Sequence, residues 1–333
     1  MFDVFMVSKS EGVQGLMENE TRVRVAVVQA AAPAFDTAAC LKQVDKLARE
    51  ASAMGAKLVL FPETFIPGFP AALDWAGPAT AFRDDAGTQD FARYRTGAIY
   101  ADGSEVAQLA ALAGELGIQI HVGAMERAGS SLWNSVFSFG QHGELLGIRR
   151  KLMPTHGERT IWAPAPDATS VEVHETPLGR VGAVICWESY MPLLRMALYG
   201  EGIEIYLAPT ADDTDGWLAS MRHIALEGRC YVLSACQYAM RADYPADYAG
   251  LIGHAPEMVM FSGGSVIIGP DGSLLAGPLR DETGILYADL DRTALDAAKH
   301  TLDVAGHYAR PDLFTLTIDR RPRKASGVNF LED

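Results

Sequence analysis

The sequence predicts a single α/β domain in which layered β-sheets are covered by outer helices. Short apolar runs rich in β-branched residues alternate with helical patterns along the whole chain. No linker-like or low-complexity stretch interrupts residues 22–310, and no repeat of fixed period is apparent. Hydrophobic residues make up 49% of the 333-residue chain, enough to fill a sizeable core.

Taken in order, Arg22 to Ala30 alternates and then runs apolar, so a strand is expected. Asp36-Thr37 caps a helix with Leu41, Val44, Leu47, Ala48 and Ala51 on one side, and Gly55 ends it. Lys57–Phe61 is a second strand, followed at once by Pro62-Glu63. A helix over about Ser104–Leu116, a strand over Ile118–Gly123, and strand-like runs at Asn134–Phe139 and Leu145–Arg149 continue the pattern. Val181-Gly182-Ala183-Val184-Ile185 reads as a buried strand ending on Cys186, and a helical pattern follows from about Met191 to Tyr199. Next come a strand at Ile203–Leu207, a helix at about Trp217–Glu227, and strands at Tyr231–Ala235, Ser265–Ile268 and Ile285–Leu290. Ser262-Gly263-Gly264-Ser265 reads as a turn before a strand, and Gly269-Pro270-Asp271-Gly272 as the turn joining the last two strands. Residues 1–21 read as a weakly ordered extension, within which Met17 is an alternative start. Residues 311–333 read as a tail. Its basic patch, Arg320-Arg321-Pro322-Arg323-Lys324, is either solvated or a contact between subunits.

Composition removes several classes of function. The net charge of −14 argues against nucleic acid or an anionic membrane as the main partner. The four cysteines, Cys40, Cys186, Cys230 and Cys236, form no Cys-x-x-Cys pair, and so few in a large chain suit a reducing cytoplasm. No run approaches eighteen apolar residues, and the acidic first twenty residues do not resemble a signal peptide. The eight histidines show no His-x-x-x-His pair, so neither a metal nor a cofactor is expected; His223 reads as structural, and His156 is the histidine nearest to a candidate site. There is no Gly-x-Ser-x-Gly elbow and no Gly-x-Gly-x-x-Gly after a first strand.

Three stretches carry candidate chemistry. Cys186 leaves a buried strand just before a helix, where a thiol is rigidly held and a thiolate is favoured by the helix N-terminus. Read alone, it is equally a small core residue. Glu63 sits at the mouth of an apolar strand, partly desolvated, where a carboxylate suits general-base work; read alone, it is a surface loop residue. Lys151, in Arg150-Lys151-Leu152-Met153-Pro154, follows a strand and precedes a proline turn. Beside a cysteine its ammonium lowers the thiol pKa and holds a developing anion. Glu158, seven residues on, is placed to return to the same pocket. Phe65, Trp133, Trp162, Trp187 and Tyr190 are either pocket lining or ordinary core.

Together the three stretches resemble the nitrilase (carbon–nitrogen hydrolase) superfamily, which orders Glu, Lys and Cys along the chain. The matches are Glu63 in Phe61-Pro62-Glu63, Lys151 in Arg150-Lys151-Leu152-Met153-Pro154, and Cys186 in Cys186-Trp187-Glu188. The likeness runs from Val23 to about Arg310. It is closer to the true nitrilase branch than to the amidases at Cys186–Arg195, Ala208-Pro209-Thr210-Ala211-Asp212, His223–Gly228 and Gly306–Asp312. Ser189 stands where relatives commonly carry Asn or His, and Trp162–Asp167 replaces a Gly-Asp-Gly phrase common after the lysine loop.

The resemblance implies a four-layer α-β-β-α sandwich. It also implies homodimers joined at the helix after Cys186 and the helix near Trp217–Glu227, with larger or spiral assemblies built from them. The substrate implied is a small-molecule nitrile, hydrolysed to acid and ammonia through a cysteine thioimidate and thioester. Cys186 is then the nucleophile and Glu63 the base, while Lys151 and the backbone N–H of Trp187 steady the developing charge. Glu158 orients Lys151, and Phe65, Trp133 and Tyr190 line the pocket. The alternatives are an amidase or carbamoyl hydrolase, cyanide hydrolysis, and a non-catalytic assembly protein.

Overall fold

A computed structural model describes residues 22–71 and 85–323. The expected extension 1–21 and the part of the expected tail beyond residue 323 lie outside the described residues. Two sheets dominate the described chain. The first contains β1 (Arg22–Gln29), β2 (Leu58–Leu60), β3 (Gln119–Ala128), β4 (Ser131–Phe139), β5 (Leu145–Arg150) and β13 (Gly284–Asp291), in the order β13-β1-β2-β3-β4-β5. The second contains β6 (His174–Thr176), β7 (Gly179–Ala183), β8 (Ile205–Pro209), β9 (Tyr231–Ala235), β10 (Tyr238–Met240) and β11 (Val259–Ile268), in the order β10-β11-β9-β8-β7-β6. A further strand, β12 (Leu274–Arg280), pairs with β11. Each sheet has a parallel centre, β1-β2-β3 and β7-β8-β9, flanked by antiparallel strands. The helices are α1 (Thr37–Ala53), α2 (Asp85–Thr96), α3 (Ser104–Leu116), α4 (Pro192–Gly200), α5 (Asp215–Gly228) and α6 (Arg292–Thr301).

Side-chain alternation explains the layering. In β1, Val25 and Val27 point to the inner core while Ala26 and Val28 point outward. The inner core joins the two sheets face to face, with Leu58, Leu60 and Val136 of the first meeting Ile205, Leu207 and Leu233 of the second. On the outer side of the first sheet, Val59, Ile120 and Phe137 pack against Val44, Leu47 and Ala48 of α1 and Leu109 and Leu112 of α3. On the outer side of the second, Tyr206, Val232 and Val266 pack against Leu194 and Leu198 of α4 and Met221 and Ile224 of α5. Each such aliphatic side chain contributes about 1.5–3 kcal/mol when fully buried. The result is the four-layer α-β-β-α sandwich that the resemblance implies.

Local chemistry sets the ends. Asp36 caps α1 by accepting the Ala39 N–H at 2.9 Å, and Pro192 opens α4, where a missing N–H costs nothing. Two turn expectations require correction. Gly269–Gly272 joins β11 to β12, not the last two strands, because Leu274–Arg280 pairs back on β11. Ser262–Ser265 lies inside β11, at a register shift. Gly263 has φ +86°, and a Cβ there would meet the Gln29 side chain at 2.2 Å, so the glycine makes room for a buried amide rather than a chain reversal. The tail's arginines pair within the chain: Arg321 and Arg323 with Asp319, and Arg320 with Glu201.

Candidate active site

The four segments that leave β2, β5, β7 and β8 meet in one buried cluster. This is the region beyond strand ends where open α/β sheets form their sites. Glu63 follows β2 after Phe61-Pro62. Its backbone is pressed against β3 so closely that a Cβ on Gly123 would lie 2.3 Å from the Pro62 carbonyl oxygen. Lys151 follows β5, its N–H bonded to the Asn134 carbonyl at 2.8 Å, which extends the β4–β5 ladder by one residue. Cys186 follows β7, and Thr210 follows β8.

Lys151 is completely buried between two carboxylates. Its Nζ donates to Glu63 Oε1 at 2.8 Å and to Glu158 Oε2 at 2.7 Å. Asn134 Nδ2 also donates to Glu63 Oε1, at 2.6 Å, while Glu63 Oε2 is buried without a hydrogen-bond partner. Burial opposes the lysine charge, but the Glu63 and Glu158 carboxylates outweigh it, so the ammonium is held firmly charged. One cation does not neutralise two carboxylates. Burial pushes Glu158 up to about 7, the Lys151 charge opposes that rise, and the Glu63 charge reinforces it. The cluster thus carries an exchangeable proton near neutral pH.

Cys186 is 4% exposed and lies within electrostatic reach of Glu63, Lys151 and Glu158. Lys151 does lower the thiol pKa, as expected from the sequence, but it does not prevail. Burial, reinforced by Glu63, pushes the thiol well above its usual range, and Lys151 offsets only part of this. Nor does Cys186 open an α-helix. It begins a short 3₁₀ turn, Cys186–Tyr190, with φ +52°, so the dipole of α4 starts six residues later. A non-glycine residue in that left-handed conformation is strained, as at other sharp strand-to-helix elbows that present a nucleophile. The thiol therefore rests neutral and requires a base.

The structure does not bring all the expected aromatic residues to this cluster. Phe65 is buried in the outer core against Phe61, between the first sheet and its helices. Trp133 lies on the face of β4 opposite Asn134, under the Arg150 guanidinium at 4.6 Å, with its Nε1 donating to the Pro164 carbonyl. Neither faces the thiol. Trp187 and Tyr190 are 50% and 41% exposed and pack edge to face. Trp187 also lines a cleft of about 300 Å³ with Met153, Pro154, His156, Arg159 and Met191. Ser189, beside the nucleophile in sequence, turns into the core and accepts a hydrogen bond from the Tyr206 hydroxyl at 3.1 Å. His223 is exposed on α5.

Three polar residues complete the site beyond those expected from the sequence. Asn134 steadies Glu63 from an apolar strand in which one amide drew no attention. Glu188 joins the cysteine elbow to the lysine loop: its Oε2 accepts the Ile185 N–H at 3.1 Å, and its Oε1 accepts the Leu152 N–H at 2.5 Å and Arg149 Nη2 at 3.1 Å. Its signal was a carboxylate inside the Cys186-Trp187-Glu188 phrase. Thr210 reaches the sulfur itself, at 3.1 Å.

Against known proteins, the sequence matches the carbon–nitrogen hydrolase family over residues 24–300. The chain belongs to this family. An aliphatic nitrilase of Sinorhizobium fredii is 48% identical over 305 residues, 92% of this chain and 98% of that protein. Nitrilase 2 of Arabidopsis thaliana is 43% identical over 311 residues, 92% and 91% of the two chains. A bifunctional nitrilase/nitrile hydratase of Nicotiana tabacum is 45% identical over 92% of this chain and 88% of its own. Among solved structures, a carbon–nitrogen hydrolase of Helicobacter pylori shares the fold with a TM-score of 0.67 at 18% identity, covering 89% of this chain and 97% of that one. Nit3 of Saccharomyces cerevisiae does so with a TM-score of 0.65 at 19% identity, covering 86% and 97%. The carbon–nitrogen hydrolase fold therefore frames the buried Glu63–Lys151–Cys186 cluster.

Proposed function

We propose that this carbon–nitrogen hydrolase is a nitrilase, converting an organic nitrile and two waters to the carboxylic acid and ammonia. The observation that carries the reading is near-full-length identity of 43–48% to proteins named as nitrilases. The site chemistry supports it. A nitrile carbon needs a soft nucleophile, and a buried neutral thiol beside an unpartnered carboxylate oxygen supplies one on demand.

In this reading Glu63 Oε2 takes the Cys186 proton as the sulfur attacks the nitrile carbon. The C–S bond forms, Glu63 passes that proton to the nitrogen, and a thioimidate results. Lys151 and the Trp187 N–H, at the open start of the 3₁₀ turn, hold the charge that develops on nitrogen and later on oxygen. Glu63 then activates a first water, which adds to the carbon and expels ammonia to leave a thioester. A second water releases the acid and restores the thiol. Glu158 holds Lys151 in place and keeps it charged. In the same reading the protein is a cytoplasmic homodimer. Exposed Leu193 on α4 and Leu226 on α5 support a contact across those two helices. Among the described residues no helix is long and apolar enough to cross a membrane.

The test is a panel of aliphatic, aromatic and arylaliphatic nitriles with their matching amides, with ammonia, acid and amide measured from each. Nitrile turnover to acid is expected, lost in Cys186→Ala and reduced by about two to four orders of magnitude in Glu63→Gln. Turnover of amides with nitriles untouched would replace this reading with an amidase.

A further inference from the structure

We propose that Thr210 is a catalytic hydrogen-bond donor that steadies the Cys186 sulfur whenever it carries negative charge. This rests on Cys186 being the nucleophile. Thr210 is the first residue beyond β8, with its N–H bonded to the Ala235 carbonyl at 2.9 Å, and it is 1% exposed. Its Oγ1 lies 3.1 Å from Cys186 Sγ, the one side-chain hydrogen bond to that sulfur among the described residues.

A second contact orients the hydroxyl. Asp212 N–H donates to Thr210 Oγ1 at 2.9 Å, which uses the oxygen as an acceptor and leaves its proton for the sulfur. Asp212 is itself anchored, its Oδ2 accepting Trp187 Nε1 at 2.7 Å from the residue that follows the nucleophile. The segment after β8 and the cysteine elbow are thereby tied to each other at two points.

An O–H···S contact to a neutral thiol is weak, while the same contact to a thiolate is charge-assisted and much stronger. The hydrogen bond therefore strengthens as Glu63 removes the proton, fades as sulfur bonds to carbon, and returns when the thioester's C–S bond breaks and sulfur leaves. Thr210 keeps its own proton throughout. The bond also pulls the thiol toward its ionised form, against burial and the two carboxylates.

The magnitude has two parts. Losing a hydrogen bond to a charged group is worth about one to two pKa units. A more basic thiolate is also a better nucleophile, which recovers about half of that in logarithmic rate. The net loss in attack rate at fixed pH is then about 3- to 10-fold.

The experiment is alkylation of the full chain by iodoacetamide between about pH 6 and pH 9, with peptide mapping to follow Cys186 apart from the other cysteines. Thr210→Val is expected to slow Cys186 labelling about 3- to 10-fold along the rising limb, and Thr210→Ser to stay within about twofold of wild type. Wild-type labelling in Thr210→Val would overturn the proposal, as would equal slowing in the Ser and Val variants, which marks a packing role. If Thr210→Val does not fold, Thr210→Ala is compared with Thr210→Ser in its place. Because alkylation needs no nitrile, a wild-type protein that labels in this pattern yet releases no ammonia from nitriles refutes the nitrilase reading and leaves the Thr210 assignment standing.

Discussion

Glu188 offers the sharpest test of how the site is held together, because it carries the join between the nucleophile and the lysine loop. Its carboxylate is buried and bonds the Ile185 N–H on one side and the Leu152 N–H and Arg149 on the other. Arg149 is itself only 5% exposed. Glu188→Leu leaves that guanidinium buried and uncompensated, a loss of about 3–5 kcal/mol for a broken buried pair. It also strips two backbone N–H groups of their acceptor, at about 1–3 kcal/mol each where water does not replace it. Arg149→Met combined with Glu188→Leu removes the stranded charge and leaves only the N–H losses. The double variant is therefore expected to be more stable than the single by about 2 kcal/mol or more. Urea unfolding midpoints at unchanged slope measure both differences. Turnover should fall in both variants, since Leu152 is no longer tied to the elbow and Lys151 loses its register with Cys186. A Glu188→Leu protein within about 1 kcal/mol of wild type, or a double variant less stable than the single, would show that the Arg149–Glu188 pair does not hold the two segments together.

Gly123→Ala places a methyl 2.3 Å from the Pro62 carbonyl oxygen and 2.8 Å from the Glu63 Cα, so the Glu63 segment must shift. With about 1 Å of misplacement, kcat is expected to fall about 100-fold while the far-ultraviolet circular dichroism spectrum is kept. Asn134→Ala removes one of the two donors on Glu63 Oε1 and is expected to lower kcat about tenfold and to cost about 1–3 kcal/mol of stability, read from the urea midpoint. Glu158 titrates at about 7 folded against an ordinary carboxylate value near 4.5, so the folded state binds the extra proton. Its contribution to stability is therefore full below pH 4.5 and is lost as pH rises to about 7. Unfolding free energy measured against pH should show that decline in wild type and a flatter curve over the same window in Glu158→Gln.

Most of the fold was legible because the core is built from simple periodicities. The α1 face expected at Val44, Leu47, Ala48 and Ala51 is the face that packs, with Cys40 joining it and Leu41 half-buried at its rim. Strand β9 and helix α3 appear at the boundaries their patterns give. What escaped was set by tertiary pairing. Strand β12 has no fully buried residue and carries Gly277-Pro278 within it, which argues against a strand in the sequence, so only its pairing with β11 makes it one. The positions of Glu63, Lys151 and Cys186 were readable from strand ends and motif order. Their electrostatics were not, because the rise of the thiol depends on burial and on two carboxylates that are distant in sequence. The same limit explains Phe65 and Trp133. Lying close to the site in sequence says nothing about which face of a sheet a ring occupies. Asn134 and Thr210 matter through single hydrogen bonds, which no periodicity encodes.

In the proposed reaction a covalent bond forms between the Cys186 sulfur and the nitrile carbon. Rapid acid quenching of turnover, followed by intact-mass and peptide mass spectrometry, traps that bond. The expected result is a substrate-derived adduct on the peptide containing Cys186, absent in Cys186→Ala, which releases no ammonia. Ammonia release by Cys186→Ala at about a tenth of the wild-type rate or more, or an adduct on another residue, would contradict the claim.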